Sequence, residues 1–280
     1  MSTSDRRFGS IVVPLNGWAE SERAIPVAVA LAEPGVELTL VMVVSHSDDV
    51  LHAEELLDRA AARIDGRAVK REVLVGRPVG RTLLQFLDRK PRDVVVMATH
   101  APSAVGELFL GSVADEVVRR SKDAVVLVGP HCRVPEAGER YQELVACLDP
   151  GHDAELVLAL TRAAHSELGL HPWLFQVVAP PSPDQLPNHG DISEAGYIQR
   201  MAEDLGTQGV LADWDVGHGA PAEAILEFVA SRPTSIVALA SRRRHPLDRL
   251  RASSVTVAVT HAATCPVICV APPPMDPPVM

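Results

Sequence analysis

The chain has 280 residues, 47% of them hydrophobic and 22% charged, the balance of a folded protein with a packed core. Its formal net charge of −10 argues against a general nucleic-acid binder, which needs a basic face to neutralise phosphates. No run approaches the roughly 20 apolar residues of a membrane span, and the opening "MSTSDRRFGS" lacks the apolar core of a signal peptide, so a cytoplasmic protein without membrane contact is expected.

Taken in chain order, apolar runs of strand length alternate with segments of helical period. The first half reads as strand 10–15, helix 19–32, strand 36–44, helix 48–64, strand 69–75, helix 79–89, strand 93–98, a helix from Ser112 and strand 124–130. Pro26 falls inside the first helical pattern and is expected to kink it or delay its start, because proline lacks the N–H a helix interior uses. Residues 129–140, "GPHCRVPEAGER", are polar and read as a linker. The pattern then restarts with strand 143–148, helix 153–168, strand 172–179 and a Pro-rich loop. Helix 193–205, strand 210–217, helix 221–230, strand 235–240, a helix from Ser254 and strand 265–272 complete it. Strict alternation of strand and helix implies parallel sheets covered by helices on both faces.

The second series copies the first. "VVVMATH" (94–100) lies over "IVALASR" (236–242), "GSV" (111–113) over "SSV" (253–255), and "AVVLVGP" (124–130) over "PVICVAP" (266–272). All three pairs are 142 residues apart, so the chain is read as a duplicated domain. The expected organisation is a first domain at 1–132, a linker at 133–142, a second domain at 143–273 and a disordered tail at 274–280. Cys265 and Cys269 fall four apart in the last strand, about 13 Å at ~3.3 Å per residue, too far for a disulfide or a shared metal. Buried, inert thiols are expected there.

Open parallel sheets bind ligands beyond the carboxyl ends of their strands, where strand order reverses. The first and fourth strands of each half flank that crevice, and their loops begin at Asn16 and Ala98, and at Asp149 and Ala240. The helix starting at Ser112 points free N–H groups there, which makes an anion site; the Gly111-Ser112 pair also reads as a plain turn and cap. His100 is either a phosphate contact or a surface histidine. The stretch 242–251 holds five arginines against one aspartate, and Arg242, Arg243 and Arg244 read either as a solvated loop or as a dock for an anionic partner.

These residues resemble the universal stress protein family in its tandem two-domain form, over about 10–130 and 143–272. Nucleotide-binding members carry G-x2-G-x9-G-[ST] after the fourth strand. On that pattern the first half reads Ala98, Thr99, His100, Ala101, nine residues, then Gly111-Ser112-Val113, with the spacing intact and two glycines replaced. The second half reads Ala240 to Arg243, nine residues, then Ser253-Ser254, with all three glycines gone. The family's nucleoside-facing aspartate corresponds to Asn16 in the first half and Asp149 in the second. The resemblance implies two α/β domains, each a five-stranded mainly parallel sheet sandwiched by helices, of the flavodoxin-like or adenine nucleotide hydrolase-like kind.

It further implies a site for ATP with magnesium, or a related adenine nucleotide, at Asn16, Ala98, His100, Ala101, Gly111, Ser112 and Val113, with a remnant at Asp149, Ser253 and Ser254. The last strands of the two domains are expected to pair within the chain, and a homodimer is left open. Alanine held in a left-handed conformation costs about 1–2 kcal/mol. That is roughly ten- to thirtyfold in affinity at about 1.4 kcal/mol per decade, so the first site is expected to be weakened rather than lost. No G-x4-G-K-[ST], G-x-S-x-G or H-E-x-x-H occurs, and no nucleophile, base and orienter assemble, so no catalytic residue or metal ligand is assigned. Three readings compete: a nucleotide-binding stress-response regulator, a stress protein that binds no nucleotide and acts through protein contacts, and a slow ATPase.

Overall fold

The computed structural model describes residues 8–89, 93–99, 110–150, 153–178, 190–241 and 255–271. The first half comprises β1 (Ser10–Leu15), α1 (Ala19–Glu22), α2 (Ala24–Leu31), β2 (Glu37–Val44), α3 (Val50–Ala61) and β3 (Val69–Val75). It continues with α4 (Val79–Leu87), β4 (Asp93–Ala98), α5 (Ser112–Arg120) and β5 (Val125–Val128). The second half repeats the order with β6 (Glu143–Leu148), α6 (Ala154–Leu168), β7 (His171–Val178), α7 (Gly190–Thr207) and β8 (Asp213–His218). It ends with α8 (Pro221–Ala230), β9 (Ser235–Ala240), α9 (Val255–Ala262) and β10 (Val267–Val270).

The ten strands among the described residues form one sheet, in the order β3-β2-β1-β4-β5-β10-β9-β6-β7-β8. Within each half the pairing is parallel. The two five-stranded sheets are fused at their inner edges, where β5 and β10 run antiparallel with Val126 opposite Ile268 and Leu127 opposite Val267. Side chains alternate across the sheet, as the period of two requires: Ile11, Val13 and Leu15 enter one core and Val12 the other. One core lies under α2, α3, α6 and α7, the second under α4, α5, α8 and α9, and each runs through both halves. The outer strand β3 carries charges in its first half, at Lys70, Arg71 and Glu72. Lys70 pairs with Glu37 at 2.5 Å and Arg71 with Asp58 at 2.5 Å, charges that blunt an exposed edge.

Several elements differ from the sequence reading. The single helix expected at 19–32 is two, divided at Arg23, because Pro26 has no N–H to donate one turn back to Glu22. The helix expected at 48–64 opens with a 3-10 turn at Ser47–Asp49 and ends at Ala61, while α7 reaches back to Gly190. The strands expected at 124–130 and 210–217 are Val125–Val128 and Asp213–His218. The strand expected at 265–272 is confined to Val267–Val270, since Pro266 cannot donate to a ladder; Cys265 lies before it, so strand spacing does not apply to the whole Cys265–Cys269 interval.

Cys132, Cys265 and Cys269 are buried and free. Burial favours the neutral thiol and pushes Cys132 and Cys269 up to about 12. The stretch read as a linker is tied down: the Arg133 N–H donates to the Thr264 carbonyl at 2.7 Å, and Arg23 donates to the carbonyls of Gly129 at 3.0 Å and Cys132 at 2.6 Å. Residues 179–189 of the Pro-rich region and the tail at 274–280 lie outside the described residues. No helix among the described residues is long and apolar enough to cross a membrane.

Candidate functional site

β1 pairs with β2 on one side and β4 on the other, so the connections leave β1 and β4 in opposite directions and a crevice forms at their C-terminal ends. A cleft of about 960 Å³ opens there, at the upper end of the range for small-molecule sites. Strand ends Leu15, Val43, Val44 and Met97 contribute to its lining, together with Leu56 of α3 and Leu83 of α4. Asn16, Ala98, Gly111, Ser112 and Val113 all line this one cleft.

Each of these residues is placed by a local device. Gly111 has φ 95° and ψ 145°, a conformation that side chains disfavour, and it turns the chain into α5; its carbonyl accepts the Asp115 N–H at 2.9 Å. Ser112 is therefore the first residue of α5, followed by the first-turn amides, which have no partner within the helix itself. Asn16 sits in a tight turn completed by Gly17 at φ 83°. Its side-chain oxygen accepts the Trp18 N–H at 3.0 Å, and its own N–H donates to the Ser21 hydroxyl at 3.3 Å.

Ala98 corrects an expectation. It is the last residue of β4, extended and paired with Val128, so no left-handed strain attaches to the glycine lost at that position. Only the bulk of its methyl group remains as a cost.

His100 and Ala101 of the same loop lie outside the described residues, as do Ser253, Ser254 and Arg242 to Arg244 in the second half. Asp149 follows β6 and is exposed. It stands by Tyr197 of α7, whose hydroxyl is raised first by burial and then by the Asp149 carboxylate. The structure thus brings together the described first-half residues and leaves the second-half set represented by Asp149 alone.

Trp18, His46, Asp49, His52 and Arg77 also line the cleft, and sequence reading missed them. They come from the loops after β1, β2 and β3 and from the start of α3, which meet only when the strands are laid side by side. The one legible signal was a tryptophan next to an Asn-Gly turn. Among the described residues, no group of three or more His, Cys, Asp or Glu side chains is placed to hold a metal ion.

A model of the Universal stress protein family matches residues 45–129 and 140–271. A curated relative from Thermus aquaticus, named as a universal stress protein in the QAH/OAS sulfhydrylase 3'region, is 33% identical over 136 residues; the match spans 43% of this chain and 98% of that protein. A universal stress protein structure from Archaeoglobus fulgidus superposes with a TM-score of 0.66 at 16% identity, over 97% of this chain and 99% of the other. A putative universal stress protein from Pseudomonas aeruginosa gives 0.63 at 13% identity, over 97% and 95%. At such identity the two structural likenesses speak for the fold.

Proposed function

The chain belongs to the universal stress protein family, and from that premise we propose that it is a cytoplasmic stress-response regulator whose first half holds an adenine nucleotide, ATP with its magnesium, in the cleft between β1 and β4. One observation carries the reading. Five of the seven residues expected to form the first-half site line a single cleft of about 960 Å³, and the other two fall in the loop outside the described residues. The phosphates would meet the first-turn amides of α5 and the Ser112 hydroxyl, where helix N–H groups favour anions. The nucleoside would lie toward Asn16. With the loop glycines replaced, affinity is set at about the micromolar level.

Calorimetry with magnesium-ATP tests this. The natural protein should release heat with a micromolar constant, the Ala98→Gly/Ala101→Gly pair should bind about tenfold tighter, and Gly111→Val should not bind. If neither the natural protein nor the double-glycine variant shows heat or thermal protection, the second reading takes over: a stress protein without nucleotide that acts through protein contacts, for which the same two alanines speak.

A further inference from the structure

Trp18 is 69% exposed at the cleft, while the apolar side chains around it are packed away. Its backbone is nevertheless pinned. The Trp18 N–H donates to Asn16 Oδ1 at 3.0 Å, and its carbonyl accepts from the Ser21 N–H at 3.0 Å and the Ser21 hydroxyl at 2.7 Å. An indole with only two side-chain torsions, held on a fixed turn, offers a large flat surface at little entropic cost. A buried tryptophan covers roughly 150–250 Å², and here most of that surface faces water.

We infer that Trp18 is a stacking platform for the planar ring of the ligand, so that the cleft selects molecules carrying an aromatic base over simple phosphates. The inference rests on the nucleotide reading above. Trp18 follows β1, one strand or about 4.8 Å across from β4, whose connection leads to the phosphate end at Gly111 and Ser112. Ring and phosphate therefore have separate supports in one cleft: an indole face for the first, helix amides for the second. Base–aromatic stacking tolerates many bases, because each has a π-face, so Trp18 confers a preference for rings without choosing among them.

The 280-residue chain is titrated with ATP, adenosine and inorganic tripolyphosphate, with affinity read by calorimetry and the indole environment by fluorescence. The variants are Trp18→Ala, Trp18→Phe and, as a control, Leu51→Ala, an equally exposed apolar side chain outside the cleft lining. ATP and adenosine should alter indole emission in the parent. Trp18→Ala should abolish that change and weaken both ligands by about tenfold. Trp18→Phe and Leu51→Ala should retain parent affinity within about threefold. Tripolyphosphate should bind the parent and Trp18→Ala alike. ATP binding that is unchanged in Trp18→Ala overturns the stacking role and leaves the nucleotide reading standing, as does an equal weakening of tripolyphosphate. No binding of ATP or adenosine to the parent overturns both.

Discussion

Asn16 shows how one side chain serves fold and cleft together. Its oxygen accepts the Trp18 N–H, closing a turn that sets both the start of α1 and the place of the exposed indole. Removing that acceptor should cost about 1 kcal/mol, a fall of roughly 2–4 °C in melting temperature for a chain of this size. Asn16→Ala should show that fall in calorimetric melting, whereas Asn16→Asp, which keeps the acceptor, should melt near the parent. Equal melting of Asn16→Ala and the parent would mean that the turn stands without the side chain. The same scale separates the two kinds of glycine in the nucleotide pattern. Gly111 answers to a backbone demand, at φ 95°. The position of Ala98, extended in β4, makes none.

Between elements, a tight approach occurs where β5 ends. An ideal Cβ placed on Gly129 would lie 1.8 Å from the Thr260 carbonyl oxygen of α9, a backbone atom that cannot swing aside. Gly129→Ala therefore has to push α9 off the sheet, and overpacking of this kind costs about 1–3 kcal/mol. Gly196 is the opposite case. It lies inside α7, where among the described residues a Cβ would meet only Arg200 Nη1, at 3.9 Å, so alanine there should gain about 0.5–1 kcal/mol from helix propensity. Urea unfolding of the two variants should give midpoints on opposite sides of the parent. A Gly129→Ala midpoint equal to the parent would show that α9 yields freely.

At the scale of the molecule, the seam between β5 and β10 makes one body of two copies. Val125, Val126, Leu127 and Val128 are each 1% exposed or less, and β10 lies against them through Val267, Ile268 and Cys269. Side contacts add to the seam: the Phe8 N–H donates to Glu167 at 2.9 Å, and Arg140 donates to the Ala32 carbonyl at 3.1 Å. A fragment of residues 1–132 would expose β5 as an open apolar edge, the arrangement that invites pairing with another chain. Sedimentation of that fragment should show self-association, with a second β5 in the place of β10. A stable monomer would mean that the seam depends on the helices around it rather than on the strand edge.

Much of the fold was legible because its causes are local. Strands at 10–15, 69–75, 93–98, 143–148 and 235–240, and the start of α5 at Ser112, coincide with their sequence readings, since apolar runs and turn residues act within a few positions. The duplication was legible too: β4 and β9, like β5 and β10, begin 142 residues apart. The ends of elements were less so, as the division at Arg23 and the late start of β10 show. Of the cleft lining, Asn16 and Ala98 could be named in advance from their place at strand ends and Gly111-Ser112 from the helix start, while Val113 followed from the family resemblance. Trp18, His46, Asp49, His52 and Arg77 could not, because their meeting depends on β3 and β2 lying beside β1 while β4 lies on its other side. By itself, then, the sequence determined most of the elements, their repeat and the start of α5 at Ser112, because apolar periodicity and turn residues act over a few positions. Tertiary structure alone decided the full lining of the cleft, because it depends on which strands become neighbours when apolar faces are buried between distant segments.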